Sequence, residues 1–183
     1  EIGRFLQIDP LEYTDSMNLY QYCLNNPINC IDPMGLKIEM GANATWLDKW
    51  AYRRAIQRLS DSAVFKNTYD HLASEDTPTV TIVFPSNKKV ADGSSYTPEL
   101  RMIYWNRYET MQILQGRQSP VISLAHEMEH ARIHMIGGIQ GSRIEINGQS
   151  YNPVEEEYVV DWFETPIAKE LGEPWREDYL EPF

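Results

Sequence analysis

A chain of 183 residues with 42% hydrophobic content is long enough to bury one modest core. Its formal net charge of -11 and pI near 4.8 turn it away from nucleic acid, whose phosphates it would repel, and suit a basic partner or substrate region better. With 23% charged residues and no long apolar run it is expected to have no membrane span.

Glu1 is not a natural start and no signal peptide follows, so the chain is expected to derive from a longer polypeptide. Residues 1–36 are rich in Asn, Asp, Pro and aromatics, a composition of short strands and turns that cannot make a domain alone. Cys23 and Cys30 both lie in this stretch, so no disulfide framework staples the remainder. Five motifs are spaced along it: Gly3-Arg4-Phe5, Asp9-Pro10, Asn18-Leu19-Tyr20-Gln21-Tyr22, Asn26-Pro27-Ile28-Asn29 and Asp32-Pro33-Met34-Gly35-Leu36. Together they closely resemble the end of the Rhs/YD-repeat core, a β-cage that precedes a variable C-terminal toxin. The resemblance implies an aspartyl autoprotease that cuts after the signature's last Leu, here between Leu36 and Lys37. Asp9 and Asp15 are the aspartates carried over, with the pairing left open. It also implies the Rhs core cage of the parent chain as a partner.

Residues 37–183 read as α+β. Trp46, Leu47, Trp50, Ala51, Ile56 and Leu59 fall at helical spacing and predict an amphipathic helix over 45–59, with Arg53, Arg54 and Arg58 on a solvated face. Alternation of β-branched and apolar residues predicts strands over 79–85 and 101–106, separated by a polar loop with a turn at Asp92-Gly93. A strand bordering a cleft can bind an extended peptide by edge pairing. Residues 143–147, closed by Gly148, predict a third short strand.

Ser119-Pro120 is an N-cap followed by a residue that tolerates the first helical position, and Gly137-Gly138 supplies a stop. Between them His126-Glu127-Met128-Glu129-His130 spells H-E-x-x-H. Residues four apart on a helix are separated by ~40° around the axis, so both imidazoles point the same way and form a chelating pair. Glu127 lies beside the pair in the general-base position of a zinc hydrolase. Val121, Ile122, Leu124, Ala125, Met128, Ala131 and Ile136 make most of the cylinder apolar, as in a helix buried in a domain interior.

A catalytic zinc needs a third protein ligand and an open position. His134 is eight residues beyond His126, has risen ~12 Å along the helix, and is too far to share the ion. No His follows it, so the ligand should be a carboxylate. Asn152-Pro153-Val154-Glu155 starts an acidic helix with a capping-box-like pattern, which Thr165-Pro166 is expected to interrupt. Glu155 and Glu156 read as complements to the dipole at the helix start. Glu157, Asp161 and Glu164 fall at i, i+4 and i+7 and share one face. Glu157 is the expected third ligand, Glu164 its rival, and Asp161 the partner that orients a metal-bound His. Tyr151, Tyr158, Arg176 and Tyr179 are candidates to stabilise a tetrahedral oxyanion.

Leu124-Ala125-His126-Glu127-Met128-Glu129-His130-Ala131, then Glu156-Glu157-Tyr158, then the run from Glu164 through Glu170-Leu171-Gly172-Glu173-Pro174-Trp175-Arg176 to Tyr179, resembles the effector zinc metallopeptidases of the NleD type. The resemblance implies Zn2+ on His126 and His130, Glu127 as base, and family-typical acids at Glu157 and Glu164. Thr165-Pro166 stands where that family usually has Asn. The implied fold is zincin-like: a small mixed sheet, an active-site helix and a C-terminal acidic helix, preceded by the Rhs-core remnant. The implied function is a secreted toxin endopeptidase, released after Leu36 and delivered into a target cell by type VI or related secretion, with a cognate immunity protein and a protein substrate there. A zinc-binding interaction module without catalysis, and a zinc hydrolase acting on a non-peptide bond, use the same residues.

Overall fold

The computed structural model describes residues 38–74, 77–85, 93–141, 144–146 and 149–176. The chain separates into two units, Glu1–Gly35 and Leu36–Phe183, and all described residues belong to the second. The expectations at Asp9, Asp15, Cys23, Cys30, Leu36, Lys37 and Tyr179 therefore lie outside the described residues.

The second unit is α+β. Strand β1 (Ile38–Met40) leads into α1 (Trp46–Leu59), where Thr45 and Asp48 close a reciprocal cap: each side chain takes the other's backbone N–H. Ser62 caps α2 (Ala63–Leu72) with a single bond, accepting from the Phe65 N–H at 3.2 Å. The chain then returns as β2 (Val80–Val83), parallel to β1, so α1 and α2 form the crossover that a parallel pair requires. After β3 (Ser95–Thr97) and a 3-10 turn, β4 (Met102–Tyr104) pairs parallel to β2 and antiparallel to β3. The sheet order β1-β2-β4-β3 leaves β3 on an edge.

The expected strands over 79–85 and 101–106 are β2 and β4. Strand β3 occupies part of the stretch expected to be loop, and a second unanticipated pair, β5 (Met111–Ile113) and β6 (Gly116–Gln118), forms a hairpin. The expected strand over 143–147 is β7 (Ile144–Ile146), paired with β8 (Gln149–Tyr151).

Helix α3 (Pro120–Met135) runs between Ser119, whose hydroxyl caps Val121, and two glycines in the left-handed region, Gly137 and Gly138. Ile122, Leu124, Ala125, Met128, Ala131 and Ile133 are buried against the sheet and the two crossover helices. Trp105 sits edge-on to Tyr52 and Phe84 at the centre of this layer and donates its indole N–H to the Pro120 carbonyl at 2.8 Å. Glu129 is buried with them, yet it is fully engaged. Arg132 grips both its oxygens, the longer bond being 2.9 Å, and Thr68 of α2 donates at 2.6 Å.

The C-terminal helical run is α4 (Pro153–Tyr158), a π-helical turn (Val159–Glu164) and α5 (Thr165–Glu170). The expected break at Thr165-Pro166 does not occur. Pro166 lacks the N–H that would bond four residues back, and the widened turn before it accommodates the ring, with Thr165 N–H reaching Val160 O five residues back. The expected capping box is also absent: Asn152 donates its side-chain amide to Ile139 O at 2.8 Å and caps nothing. Among the described residues no helix is long and apolar enough to cross a membrane.

Glu129 offers a test of the packing between α2 and α3. Glu129→Ala strands Thr68 and Arg132 and should cost about 2–4 kcal/mol of unfolding free energy, measured by denaturant titration. The exposed Glu157→Ala should stay within about 0.5 kcal/mol.

Candidate metal centre

Three donors converge where α3 faces α4. Nε2 of His126 and Nε2 of His130 lie 3.0 Å apart, and the carboxylate of Glu156 bridges them, 3.4 Å from the first and 3.3 Å from the second. Donors held at ~2.0–2.2 Å around a tetrahedral ion are separated by about 3.3 Å, so this set fits a single metal ion. His126, His130 and Glu156 can therefore hold one.

Each imidazole is fixed from behind. Nδ1 of His126 donates to Glu164 Oε2 at 2.8 Å, and Nδ1 of His130 donates to Glu155 Oε1 at 2.8 Å. That arrangement keeps a proton on Nδ1 and leaves Nε2 as the nitrogen that would face an ion held by the three donors. Glu164 is itself buried, taking Gln118 Nε2 at 3.0 Å from β6 and a two-pronged grip from Arg176. The segment that carries Arg176 leaves α5 through Gly172, which has positive φ. On the way, Glu173 accepts the Ser119 N–H at 2.8 Å and its hydroxyl at 2.6 Å, and pairs with Arg58 of α1 at 2.7 Å. A carboxylate thus sits on the positive end of the helix that bears both histidines.

Several sequence-level assignments change. Glu157 is exposed and not among the donors; Glu156 takes the expected place. Asp161 is exposed too, and the residues that orient the histidines are Glu164 and Glu155. Glu164 stands on the Nδ1 side of His126, so it orients where it was expected as a rival ligand. The cause is the π-helical turn, which inserts one residue into the helix. Across it, residues eight apart fall about 20° apart, as residues seven apart do in an uninterrupted α-helix. Glu156 therefore shares a face with Glu164, and Glu157 turns to solvent. A Pro inside an otherwise helical acidic run is the signal that could have exposed this.

His134, expected to stand apart from the ion, is exposed and lies 2.9 Å from Tyr96 Oη. Arg176 is committed to Glu164, and Tyr158 lines a small depression of about 310 Å³ with Arg132 and Trp162, on another side of α3 from the donors. Tyr158 is therefore not placed to meet an oxyanion at the donors, while Arg176 lines the donors' cleft with its guanidinium on Glu164. Tyr179 lies outside the described residues, as does the side chain of Tyr151.

The donors open onto a cleft of about 1650 Å³ whose walls include Tyr96 of β3, Glu109, Gln118 and Glu127. Burial raises the Glu127 carboxyl above its ordinary value; the two imidazoles oppose this, and Glu156 and Glu109 add to it. Burial pushes both histidines down, but the carboxylates around them prevail: Glu156 and Glu164 hold His126 up at about 9, and Glu155 and Glu156 hold His130 up at about 10. Burial pushes Glu156 and Glu164 up, and their cationic partners outweigh it, lowering Glu156 strongly and Glu164 to about 2.

Compared with family models, curated proteins and solved structures, the chain finds no match in any of the three.

Two outcomes follow from this geometry. Glu156→Ala should weaken metal affinity by well over 100-fold, beyond the 10–100-fold typical of outer partners, whereas Glu157→Ala should change it less than about twofold; metal titration ranks them. In metal-free protein the histidines contribute stability in full below about 6.5, and lose it as pH rises through about 9 to 10. Glu156 and Glu164 contribute above about 4.5 and lose it as pH falls. Calorimetry on chelator-treated protein should therefore find its highest Tm between about pH 4.5 and 6.5, with a decline on the alkaline side that bound metal removes.

Proposed function

We propose that this domain is a zincin-like, zinc-dependent metallopeptidase with Glu127 as its general acid–base. The observation that carries the reading is the His126–His130–Glu156 donor set, backed by two carboxylates and flanked by Glu127 at the floor of an open cleft. Two imidazoles and one carboxylate suit zinc, and three protein donors with a fourth direction left open are the mark of a catalytic rather than a structural site. Zinc held there supplies Lewis acidity to the scissile carbonyl.

The protein's own groups account for the rest. Glu164 and Glu155 hold the Nδ1 protons, so both histidines present Nε2 to the ion. Glu127 takes a proton from the attacking water on a carboxylate oxygen and returns it to the leaving amine nitrogen. Its raised affinity for a proton suits both halves of that exchange. Strand β3, an edge strand in the cleft wall, offers backbone groups to an extended substrate.

The Rhs-core resemblance of residues 1–36 supports a wider reading. The peptidase is the toxin of a longer chain, freed by self-cleavage after Leu36, with Asp9 and Asp15 as the candidate aspartates and their pairing open. It is delivered into a target cell by type VI or related secretion and held harmless in its producer by an immunity protein.

Glu127→Gln keeps shape and every donor but removes the base. Hydrolysis should fall by about 10²–10⁴-fold while zinc stays near one per chain. Profiling of newly formed protein N-termini in cells expressing either form reads the activity, and elemental analysis reads the metal. A Glu127→Gln protein that holds zinc and remains fully toxic would convert the reading to a binding module.

A further inference from the structure

Among the described residues the charges of the cleft walls do not balance. Among the described residues lining it, Arg176 is the sole Lys or Arg, and its guanidinium is spent on Glu164. Glu155 is matched by His130, and Glu156 belongs to the metal donors. Glu109 remains. One of its oxygens takes both the Ser94 N–H at 2.8 Å and the Ser94 hydroxyl at 2.6 Å, which fixes the carboxylate in the wall beside Glu127. Its other oxygen takes no hydrogen bond among the described residues, and it forms no ion pair there. Glu99, exposed on the same wall, adds a second negative charge.

The groups left open in this wall are thus anionic, in a site partly withdrawn from water where charge pairing strengthens.

The geometry points to a substrate peptide carrying a Lys or Arg side chain beside the scissile bond, with the Glu109 carboxylate as its specificity determinant. This rests on reading the cleft as a peptidase site. A guanidinium or ammonium donates to the unpaired oxygen of Glu109, while an acidic side chain meets only like charge.

The test uses zinc-loaded Glu127→Gln protein, which holds substrate without turning it over. Fluorescein-labelled nonapeptides with a central Lys, Arg, Leu or Glu in a Gly/Ser/Ala background are titrated by anisotropy. The Lys and Arg peptides should bind about 10-fold or more tighter than the Leu peptide, the range for one hydrogen bond to a charged group, and the Glu peptide weakest. Adding Glu109→Gln should bring the Lys-to-Leu ratio close to one, and Glu109→Lys should invert the order between the Lys and Glu peptides. Equal binding of the Lys and Leu peptides, no measurable binding of any, or a preference that survives Glu109→Gln overturns the inference. Hydrolysis of the same peptides by the wild-type protein is scored separately. Cleavage without cationic preference sinks this inference alone, whereas Glu109-dependent binding without cleavage of any peptide sinks the peptidase reading and, with it, the placing of the cation beside a scissile bond.

Discussion

A negative charge taken almost wholly out of water organises this domain. Glu164 is buried, and a buried carboxylate persists only where donors surround it. Its donors come from three places: Gln118 from the hairpin, His126 from the helix that bears the motif, and Arg176 from the segment after the last helix. Satisfying one charge therefore sets the depth of α3, the docking of the β5–β6 hairpin and the return path of the chain. The same donation fixes the ring of His126, so the requirement that stabilises the interior also aims a donor at the metal position.

Part of this was legible in the residues. Ser119-Pro120 and Gly137-Gly138 mark both ends of α3 because capping and left-handed termination depend on local chemistry alone. The spacing of His126 and His130 likewise needs only helical geometry. The alternating runs over 79–85 and 101–106, which contain β2 and β4, were readable for the same reason. Strands β1, β3, β5 and β6 were not read from their own residues, and each exists because a neighbour offers its backbone.

The third donor was misplaced by one residue for a reason that is also physical. Counting i, i+4 and i+7 assumes a uniform helix, whereas the run from 153 to 170 contains a π-helical turn beside Pro166. Glu155 and Glu156, whose position in a first helical turn suggests nothing more than dipole complementation, become the orienting and donor carboxylates once that turn resets the phase.

The spacing of the three donors has a consequence for how the protein comes to life. They already stand at coordination distance from one another, and the apolar cluster around Trp105, Ile122 and Met128 closes without them. Small domains nucleated by an ion collapse when a chelator removes it. Here the core packs on its own side chains, so an ion bound at these donors would not be what nucleates the fold.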